Sequence, residues 1–232
     1  MLKTLRRGFW YAFGAVLIAI LLYQFWVLAH IWYWVDHNPA MTSIMEIRLE
    51  QLHQRDPKAG LQQQWVPYDR IATTLKRAVI AAEDANFVDN EGFDWEGIQH
   101  AFFEDLKKGR LAAGGSTITQ QLAKNLFLSS ERTIWRKAEE TLITIMLDIV
   151  MTKRRILDIY LNVVEWGNGI FGAQAAARHY FGVSAAQLSA AQAAKLAAML
   201  PDPRYYDHHR DTHYLERRTS AIMRYMKASD VP

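Results

Sequence analysis

The feature that most constrains this chain is an uncharged apolar run near its N-terminus. From Gly8 to Val35 there is no Asp, Glu, Lys or Arg, and the run exceeds the roughly 20 residues that a helix needs to cross a bilayer. Aromatic residues lie at both ends, as interfacial belts require: Phe9, Trp10 and Tyr11 at one, and Trp32, Tyr33 and Trp34 at the other. The sequence therefore predicts one transmembrane helix over residues 8–35.

The charges before this run predict its orientation. Lys3, Arg6 and Arg7 precede it, so the positive-inside rule keeps residues 1–7 cytoplasmic and sends the rest of the chain outward. A cleavable signal peptide is the competing interpretation. It is disfavoured because the run is longer than the about 7 to 15 apolar residues of a signal peptide and lacks a clean small-residue cleavage site.

Composition limits the possibilities for the rest of the chain. The chain has 232 residues, which leaves room for one sizeable domain, predicted over residues 65–232 after a polar juxtamembrane stem at 36–64. A net charge of +3 gives no argument for nucleic-acid binding, and the absence of Cys excludes disulfides and thiolate chemistry. His208, His209 and His213 have no partners at a metal-ligand spacing.

Apolar residues recur at helical spacing through most of the domain, with no strong period-two runs. The soluble part is therefore predicted to be mainly α. Buried helical faces are predicted at Ile71, Leu75, Ala78, Val79 and Ala82; at Trp95, Ile98, Phe102 and Leu106; at Ile134, Ala138, Leu142, Ile145 and Ile149; and at Ile156, Leu157, Tyr160, Leu161 and Val164.

The stretch GGSTITQQLAKN, residues 114–125, concentrates glycines, hydroxyls, amides and a lysine. Thr117 and Gln120 fit a capping box, which predicts a helix start, and Gln121 and Lys124 then lie on its polar face. Backbone N–H groups, hydroxyls and an ammonium at a helix N-terminus suit an anion such as a phosphate. An ordinary capped surface helix is the alternative, and the spacing does not match a P-loop.

Two adjacent acids end the preceding predicted helix. Glu83 and Asp84 would oppose the macrodipole, which places negative charge at the same end. Raised basicity of a carboxylate is one reason to tolerate that cost. The alternative is that one of them caps a neighbouring element or meets an arginine.

Five stretches in order resemble one family: EDANFVDNEGFD at 83–94, GGSTITQQLAKN at 114–125, RKAEE at 136–140, KRRILDIYLN at 153–162 and FGAQAAARHYFG at 171–182. By these blocks the chain resembles the family 51 glycosyltransferases, and most closely their monofunctional peptidoglycan transglycosylases. The blocks cover most of residues 65–203. The transpeptidase motifs of bifunctional relatives, SxxK, SxN and KTG, do not appear.

The resemblance implies an all-α, lysozyme-like domain with a smaller membrane-apposed lobe. It also implies polymerisation of lipid II, in which Glu83 is the base and Glu140 is a second catalytic glutamate that orients cations, contacts the acceptor or helps to hold a divalent ion. The implied substrate- and diphosphate-binding residues are Asp84, Gly115, Ser116, Thr117, Gln120, Gln121, Lys124, Asn125, Arg132, Arg136 and Lys137. No cofactor is implied as obligatory, and a requirement for Mg²⁺ or Mn²⁺ is left open.

Further expectations come from the resemblance. The implied partners are lipid II, a lipid-linked glycan chain, membrane lipids and other cell-wall synthesis or division proteins, with no nucleic acid. The implied place is the bacterial cytoplasmic membrane, with the catalytic domain on its outer, periplasmic face. The chain departs from the family pattern at Asn90, Asp158 and Phe171, where His, Glu and Arg are usual.

Two other functions compete with the polymerase. A lysozyme-like glycan-cleaving enzyme would also use Glu83, but it would not need the basic, hydroxyl-rich second block. A non-catalytic membrane scaffold would need neither glutamate. Apolar side chains near the membrane are further candidates for contact with lipid, namely Phe102, Phe103, Leu126 and Phe127, although core packing is the favoured role for most of them.

Overall fold

A computed structural model describes residues 2–90, 92, 116–129, 131 and 133–232 of the chain. The helix predicted around residues 95–106 lies outside the described residues. So do Gly115 and Arg132 of the candidate site, and Phe102 and Phe103 of the candidate lipid contacts.

The apolar run forms helix α1, Leu2–Tyr33, of which Arg6–Tyr33 is long and apolar enough to cross a membrane. Most of its side chains are exposed, but Val27 and Ile31 are fully buried. Together with the half-buried Trp34 these residues follow helical spacing, so one face of the last turns of α1 packs against the remainder of the fold. The predicted transmembrane helix is therefore also part of the core.

The predicted stem contains helix α2, Ser43–His53, which packs against the helix of the second block. Thr42 caps α2 by accepting from the N–H of Met45 at 3.3 Å. Arg48 is buried and forms a two-pronged ion pair with Glu165 at 2.8 and 3.2 Å. The stretch between the anchor and the predicted domain is thus folded onto that domain.

Helices dominate the described part of the domain, and the prediction of a mainly α fold is confirmed. The helices after α2 are α3 (Thr73–Glu83), α4 (Ile118–Phe127), α5 (Ile134–Val150), α6 (Lys153–Val163), α7 (Ala173–Phe181), α8 (Ala190–Met199), α9 (Pro203–His208) and α10 (His213–Tyr225). Single 3₁₀ turns lie at Tyr68–Arg70, Ala185–Gln187 and Met226–Ala228.

A small sheet, not expected from the sequence, ties distant stretches together. Its strands are β1 (Gln62–Gln63), β2 (Glu165–Gly167) and β3 (Ile170–Phe171), in the order β1-β3-β2. β3 pairs parallel with β1 and antiparallel with β2. Strands of two or three residues are too short to show the alternating pattern by which strands are recognised.

The turn after the sheet depends on a glycine. Gly172 has φ +80°, and a Cβ there would come within 2.6 Å of the carbonyl oxygen of Asn162. The buried Asn162 amide accepts from the N–H of Val66 at 2.9 Å and donates to its carbonyl at 3.1 Å. These hydrogen bonds hold the start of the domain, at Val66, against the end of α6.

The core lies where α3 and α10 pack on α8, and where α4 packs on α5 and α6. The predicted apolar faces of α3 and α6 are buried there, with Leu75 and Leu157 both fully inaccessible. The alanines of α8, among them Ala194 and Ala197, have no exposed surface. Small side chains let α8 lie close to both of its helical neighbours.

The predicted buried face of α5 is wrong. Ile134 is 87% exposed and Ile149 78%, while Leu142 and Ile145 are more than 40% exposed. The face that is buried instead contains Glu140, Ile143, Thr144 and Leu147. Periodicity locates an apolar stripe but does not say whether protein or lipid covers it.

Candidate functional site

Glu83 is the last residue of α3, and its carboxylate is held by two neighbours far away in sequence. The amide Nε2 of Gln121 donates to Oε2 at 2.8 Å, and a guanidinium nitrogen of Arg218 donates to Oε1 at 3.2 Å. Arg218 also donates to the carbonyl of Ala82 at 3.3 Å. The glutamate therefore meets an arginine, which was the alternative considered from the sequence.

A third residue fixes the orientation of Gln121. The buried Tyr160 hydroxyl donates to its Oε1 at 2.8 Å, which leaves the amide nitrogen to face Glu83. α3, α4 and α6 thus each contribute one member of a hydrogen-bonded row: Glu83, Gln121 and Tyr160. The row holds the carboxylate in one place with a defined donor.

The surroundings of Glu83 alter its basicity. Burial raises the pKa of its carboxyl above the usual value, while the hydrogen bond from Gln121 and the charges of Arg218 and Lys124 act in the opposite direction. The side chain keeps 12% of its surface exposed. A carboxylate with a raised pKa that remains accessible is suited to accept a proton.

Asp84 lies just beyond Glu83 and has a different role in the fold. One oxygen of its buried carboxylate accepts from the backbone N–H of Ile118 at 3.0 Å, and the other accepts from Asn90 at 2.9 Å. Ile118 is the first residue of α4. The carboxylate of Asp84 therefore occupies the N-terminus of α4, where negative charge is favoured.

This contact places a carboxylate of the chain itself where the sequence predicts a ligand anion, at the N-terminus of α4, and the ligand site stays a prediction. The predicted capping box is confirmed: Thr117 accepts from the N–H of Gln120 at 3.2 Å, and Gln120 accepts from the N–H of Thr117 at 2.9 Å. The Thr117 hydroxyl also donates to the carbonyl of Gly92 at 2.7 Å. Donors at this helix end are already used by the protein itself, and Thr117 and Gln120 are buried.

A cleft of about 440 Å³ opens beside the polar face of α4. Five cationic and three acidic side chains line it, so its wall is predominantly positive. Of the residues predicted for the site, it contains Ser116, Gln121, Lys124, Asn125, Arg136, Lys137 and Glu140. Gln121, the middle member of the row, lines this cleft, and Glu83 lies behind it as its hydrogen-bond partner and not as a lining residue.

Glu140 joins two of the cations. Its buried carboxylate accepts from Arg136 at 2.7 Å through one oxygen and pairs with Lys137 through the other. Nε of Arg136 is buried with no hydrogen-bond partner among the described residues. Glu140 therefore aligns two cations on one turn of α5 while leaving donors for a ligand.

Lys124 faces the same group from α4. Burial lowers the pKa of its ammonium, as do the nearby charges of Arg136 and Lys137, while Glu140 and Glu83 act in the opposite direction. Within the part of the chain that the structure describes, its Nζ makes no hydrogen bond or ion pair. A partly buried ammonium without an ion-pair partner is costly, and an anionic ligand would supply that partner.

The donors around Glu140 do not fit a divalent cation. Both of its oxygens are engaged by Arg136 and Lys137, and a metal ion would have to displace them while meeting three positive side chains. No group of three or more His, Cys, Asp or Glu with metal-binding geometry occurs among the described residues. Of the roles left open for Glu140, the geometry favours the orientation of cations.

Comparison with known proteins identifies the family to which the chain belongs. The sequence profile of the family described as Transglycosylase matches residues 49–227. The chain belongs to the transglycosylase family. The recognition from five sequence blocks is confirmed, and with it the prediction of a glycosyl-transferring enzyme and a lysozyme-like helical fold.

Relatives of this transglycosylase extend along the whole chain. A protein of Chromobacterium violaceum named biosynthetic peptidoglycan transglycosylase is 61% identical over 94% of this chain and 96% of its own length. Proteins of the same name from Laribacter hongkongensis and Methylobacillus flagellatus are 58% and 56% identical. They align over 100% and 98% of this chain respectively, and over 100% of their own lengths.

The three departures from the transglycosylase pattern have local structural roles. Asn90 donates to Asp84 and accepts from Lys153 at 2.9 Å, so it links the cap of α4 to the start of α6. Phe171 is fully buried in β3. Asp158 pairs with Arg155 at 2.6 Å, and burial raises the pKa of its carboxyl against the effect of that arginine.

Two residues near the proposed base were not identified from the sequence. The sequence predicts a buried helical position for Tyr160, which is confirmed, but no local pattern indicates the hydrogen bond from its hydroxyl to Gln121. Arg218 lies 135 residues from Glu83 on a helix with other exposed arginines. Only the expectation that Glu83 could meet an arginine pointed to such a partner.

Proposed function

We propose that this transglycosylase polymerises peptidoglycan by joining lipid-linked disaccharides of the lipid II type into linear glycan strands. The observation that carries the proposal is the cleft in which Lys124, Arg136 and Lys137 lie next to the hydrogen-bonded pair of Gln121 and Glu83. Such a site combines a base with a cluster of cations, as a reaction that expels a diphosphate requires. The names of the relatives, biosynthetic peptidoglycan transglycosylase, support the same polymer.

The proposed step is a single displacement. The Glu83 carboxylate takes the proton of the acceptor sugar 4-hydroxyl while that oxygen forms a bond to the anomeric carbon of the donor. The bond between the anomeric carbon and the diphosphate oxygen breaks, and its electron pair leaves with the lipid diphosphate. Direct displacement on an α-linked donor gives a β-linked product, so we expect inversion and no glycosyl-enzyme intermediate.

The cations account for the leaving group. Charge develops on the diphosphate as the bond breaks, and preorganised positive groups stabilise it most strongly in a partly desolvated site. Lys124 is the strongest candidate because, among the described residues, its ammonium makes no ion pair; within that same part of the chain, Nε of Arg136 is buried without a hydrogen-bond partner. Glu140 keeps Arg136 and Lys137 in place without neutralising the cluster.

The anchor gives the proposed location. A single-pass α1 with residues 1–7 in the cytoplasm would hold the catalytic domain against the outer face of the cytoplasmic membrane. A substrate with a polyprenyl tail stays in that membrane. The exposed apolar stripe of α5 and the exposed faces of α1 would then both contact lipid.

The two rival functions make different demands on the cleft. A glycan-cleaving enzyme acts on a largely neutral sugar chain and has no diphosphate to stabilise, so it leaves the cluster of Lys124, Arg136 and Lys137 without a purpose. A non-catalytic scaffold would need neither this cluster of cations nor the hydrogen-bonded row from Glu83 to Tyr160. Polymer synthesis accounts for both features.

The test compares the full-length protein with a Glu83→Gln variant. The amide keeps the size of the side chain but cannot accept the proton, so we expect polymer formation from lipid-linked disaccharide to fall at least a hundredfold, in line with loss of a general base. Strand formation is followed on gels after reconstitution into vesicles. Glu216→Gln, at an exposed position on α10, is the matched control and should keep full activity.

Two outcomes would contradict the proposal. A folded Glu83→Gln protein that polymerises at the normal rate would remove Glu83 as the base. Cleavage of finished cell-wall glycan by the unaltered protein, without polymer formation from the lipid-linked substrate, would favour the lysozyme-like alternative.

A further inference from the structure

We propose that Arg155 is a positioning residue that locks the membrane helix α1 onto the catalytic domain, so that the cleft is held at one height and one orientation over the bilayer. In this proposal the anchor is a rigid continuation of the enzyme and not a tether. The consequence for catalysis rests on the proposed function, whereas the rigidity itself does not.

Most hydrogen bonds donated by the Arg155 side chain go to the residues that directly follow α1. Its Nε donates to the carbonyl of Trp34 at 2.9 Å, and one terminal nitrogen donates to the carbonyl of His37 at 2.6 Å and to the side chain of Asn38 at 2.9 Å. The other terminal nitrogen pairs with Asp158 at 2.6 Å. One guanidinium thus connects α6 to three residues just beyond the end of α1.

The place of these acceptors explains why an arginine suits it. The last carbonyls of a helix and of the turn after it lack partners within the helix, and that end carries partial negative charge. A planar guanidinium can reach several such oxygens at once, whereas an ammonium acts as one point charge. The contact is also partly shielded from water, since the Arg155 side chain is only 16% exposed.

Packing on one side of α1 reinforces the lock. Val27 and Ile31 are fully buried, and the ring of Phe127 lies 6.1 Å from that of Trp26 and 5.3 Å from that of Trp34. The contact surface therefore extends at least ten residues back from Trp34, to the buried amide oxygen of Gln24, or about 15 Å at 1.5 Å per residue. A contact of that length restricts tilting of α1 if its end is also held.

The end is where Arg155 acts. Apolar contacts along one face allow sliding and rotation because they have no preferred direction. Hydrogen bonds from a fork that is itself fixed by Asp158 are directional. We therefore assign orientation to Arg155 and attachment to the apolar face.

The test measures the anchor directly. The chain has no Cys, so spin labels can be placed at Leu22→Cys on the exposed side of α1 and at Arg217→Cys on the exposed side of α10 without other substitutions. Pulsed electron paramagnetic resonance on the full-length protein in lipid nanodiscs gives the distribution of distances between the labels. We expect one narrow distribution for the parent protein and at least a doubling of its width in Arg155→Gln.

Two further variants separate the cause. Arg154→Gln removes a neighbouring charge whose ion pair with Asp69 is exposed, so it is the matched control and should leave the distribution narrow. Arg155→Lys keeps the charge without the fork and should restore only part of the narrow distribution. Thermal unfolding of each variant checks that the domain itself is folded.

An activity measurement links the lock to catalysis. In vesicles, Arg155→Gln should lower kcat/KM for a polyprenyl-linked disaccharide several-fold, because the cleft spends less time facing the membrane-bound substrate. With a short-chain, water-soluble analogue in detergent the two proteins should have equal kcat/KM.

A narrow distribution in a folded Arg155→Gln protein would overturn the inference, whatever the activities are. If the parent protein is inactive but Arg155→Gln broadens the distance distribution, the proposed function is contradicted and the inference about Arg155 is supported.

Discussion

At the scale of single residues, the most informative group is the carboxylate of Glu83. Two opposing influences act on it: burial disfavours its charge, and Gln121, Arg218 and Lys124 favour it. A base must be ionised before it can accept a proton, but a carboxylate stabilised too strongly is a poor base. Arg218 is therefore a means by which the C-terminal helix tunes the proposed chemistry.

Arg218→Gln should move the acidic limb of the pH–rate profile toward higher pH. The reason is that Arg218 holds the pKa of Glu83 below the value that burial alone would give. Activity requires the deprotonated form, so it is lost as pH falls through this pKa, and a higher pKa means earlier loss. The measurement is kcat/KM for polymer formation across pH 4 to 9.

Two variants accompany this profile. Arg217→Gln removes the same charge from an exposed neighbouring position and should leave the limb where it is. Arg218→Lys should restore it in part. An unchanged limb in a folded Arg218→Gln protein would show that the arginine does not act on the proton acceptor.

At the scale of secondary-structure elements, α4 organises the site. Its polar face presents Gln121 to Glu83 and Lys124 to the cations of α5, so the position of its first turn matters for both. Asp84 fixes that turn from the end of α3. The two adjacent acids thus have different contacts: Glu83 accepts from Gln121 beside the cleft, and Asp84 accepts from the first N–H of α4.

Asp84→Asn should destabilise the protein by about 1–3 kcal/mol, because the buried N-terminus of α4 loses a charged acceptor. Activity should fall with it as Gln121 and Lys124 lose their alignment. Unfolding followed by circular dichroism measures the first effect. Asp89→Asn, at an exposed position in the same loop, is the control.

A contrary result has a clear meaning. If Asp84→Asn unfolds at the parent temperature yet loses polymerisation, then its carboxylate contacts substrate directly, which is the role implied by the sequence blocks.

The elements also indicate what the sequence could predict. The capping box of Thr117 and Gln120 depends on residues three positions apart, so local spacing reveals it, and it is present. The predicted face of α5 is wrong because helical spacing locates an apolar stripe but does not say whether the protein interior covers it. The contact between Glu83 and Arg218 joins residues 135 positions apart, and no local pattern carries that information.

At the scale of the whole molecule, α1 is longer than a helix needs to be to cross a bilayer. The 28 residues of Arg6–Tyr33 extend for about 42 Å at 1.5 Å per residue, against a hydrocarbon thickness of about 30 Å. The surplus of about 12 Å corresponds to the turns around Val27 and Ile31, which are covered by the catalytic domain. Leu126 is buried and Phe127 is half-buried in the same core, where Phe127 contacts Trp26 and Trp34 of this end of the chain.

If the domain rests on the membrane, the exposed stripe of α5 should lie in lipid. Spin labels at Trp135→Cys and Ile145→Cys should be relaxed more strongly by lipid-soluble oxygen than by a water-soluble nickel chelate. Lys58→Cys, exposed on the loop after α2, should show the reverse. Equal exposure of all three labels to the chelate would place α5 in water.

The folded state of residues 36–64 has a practical consequence for anyone who trims this enzyme to obtain a water-soluble form. Cutting at residue 65, the boundary that the sequence blocks suggest, would leave the Glu165 carboxylate without Arg48 and the β3 edge without β1. Cutting before Thr42 would preserve both but would strip Phe127 of Trp26 and Trp34. The protein cut before Thr42 keeps these contacts but exposes the apolar surface around Phe127. It should therefore be purified in detergent from the first step.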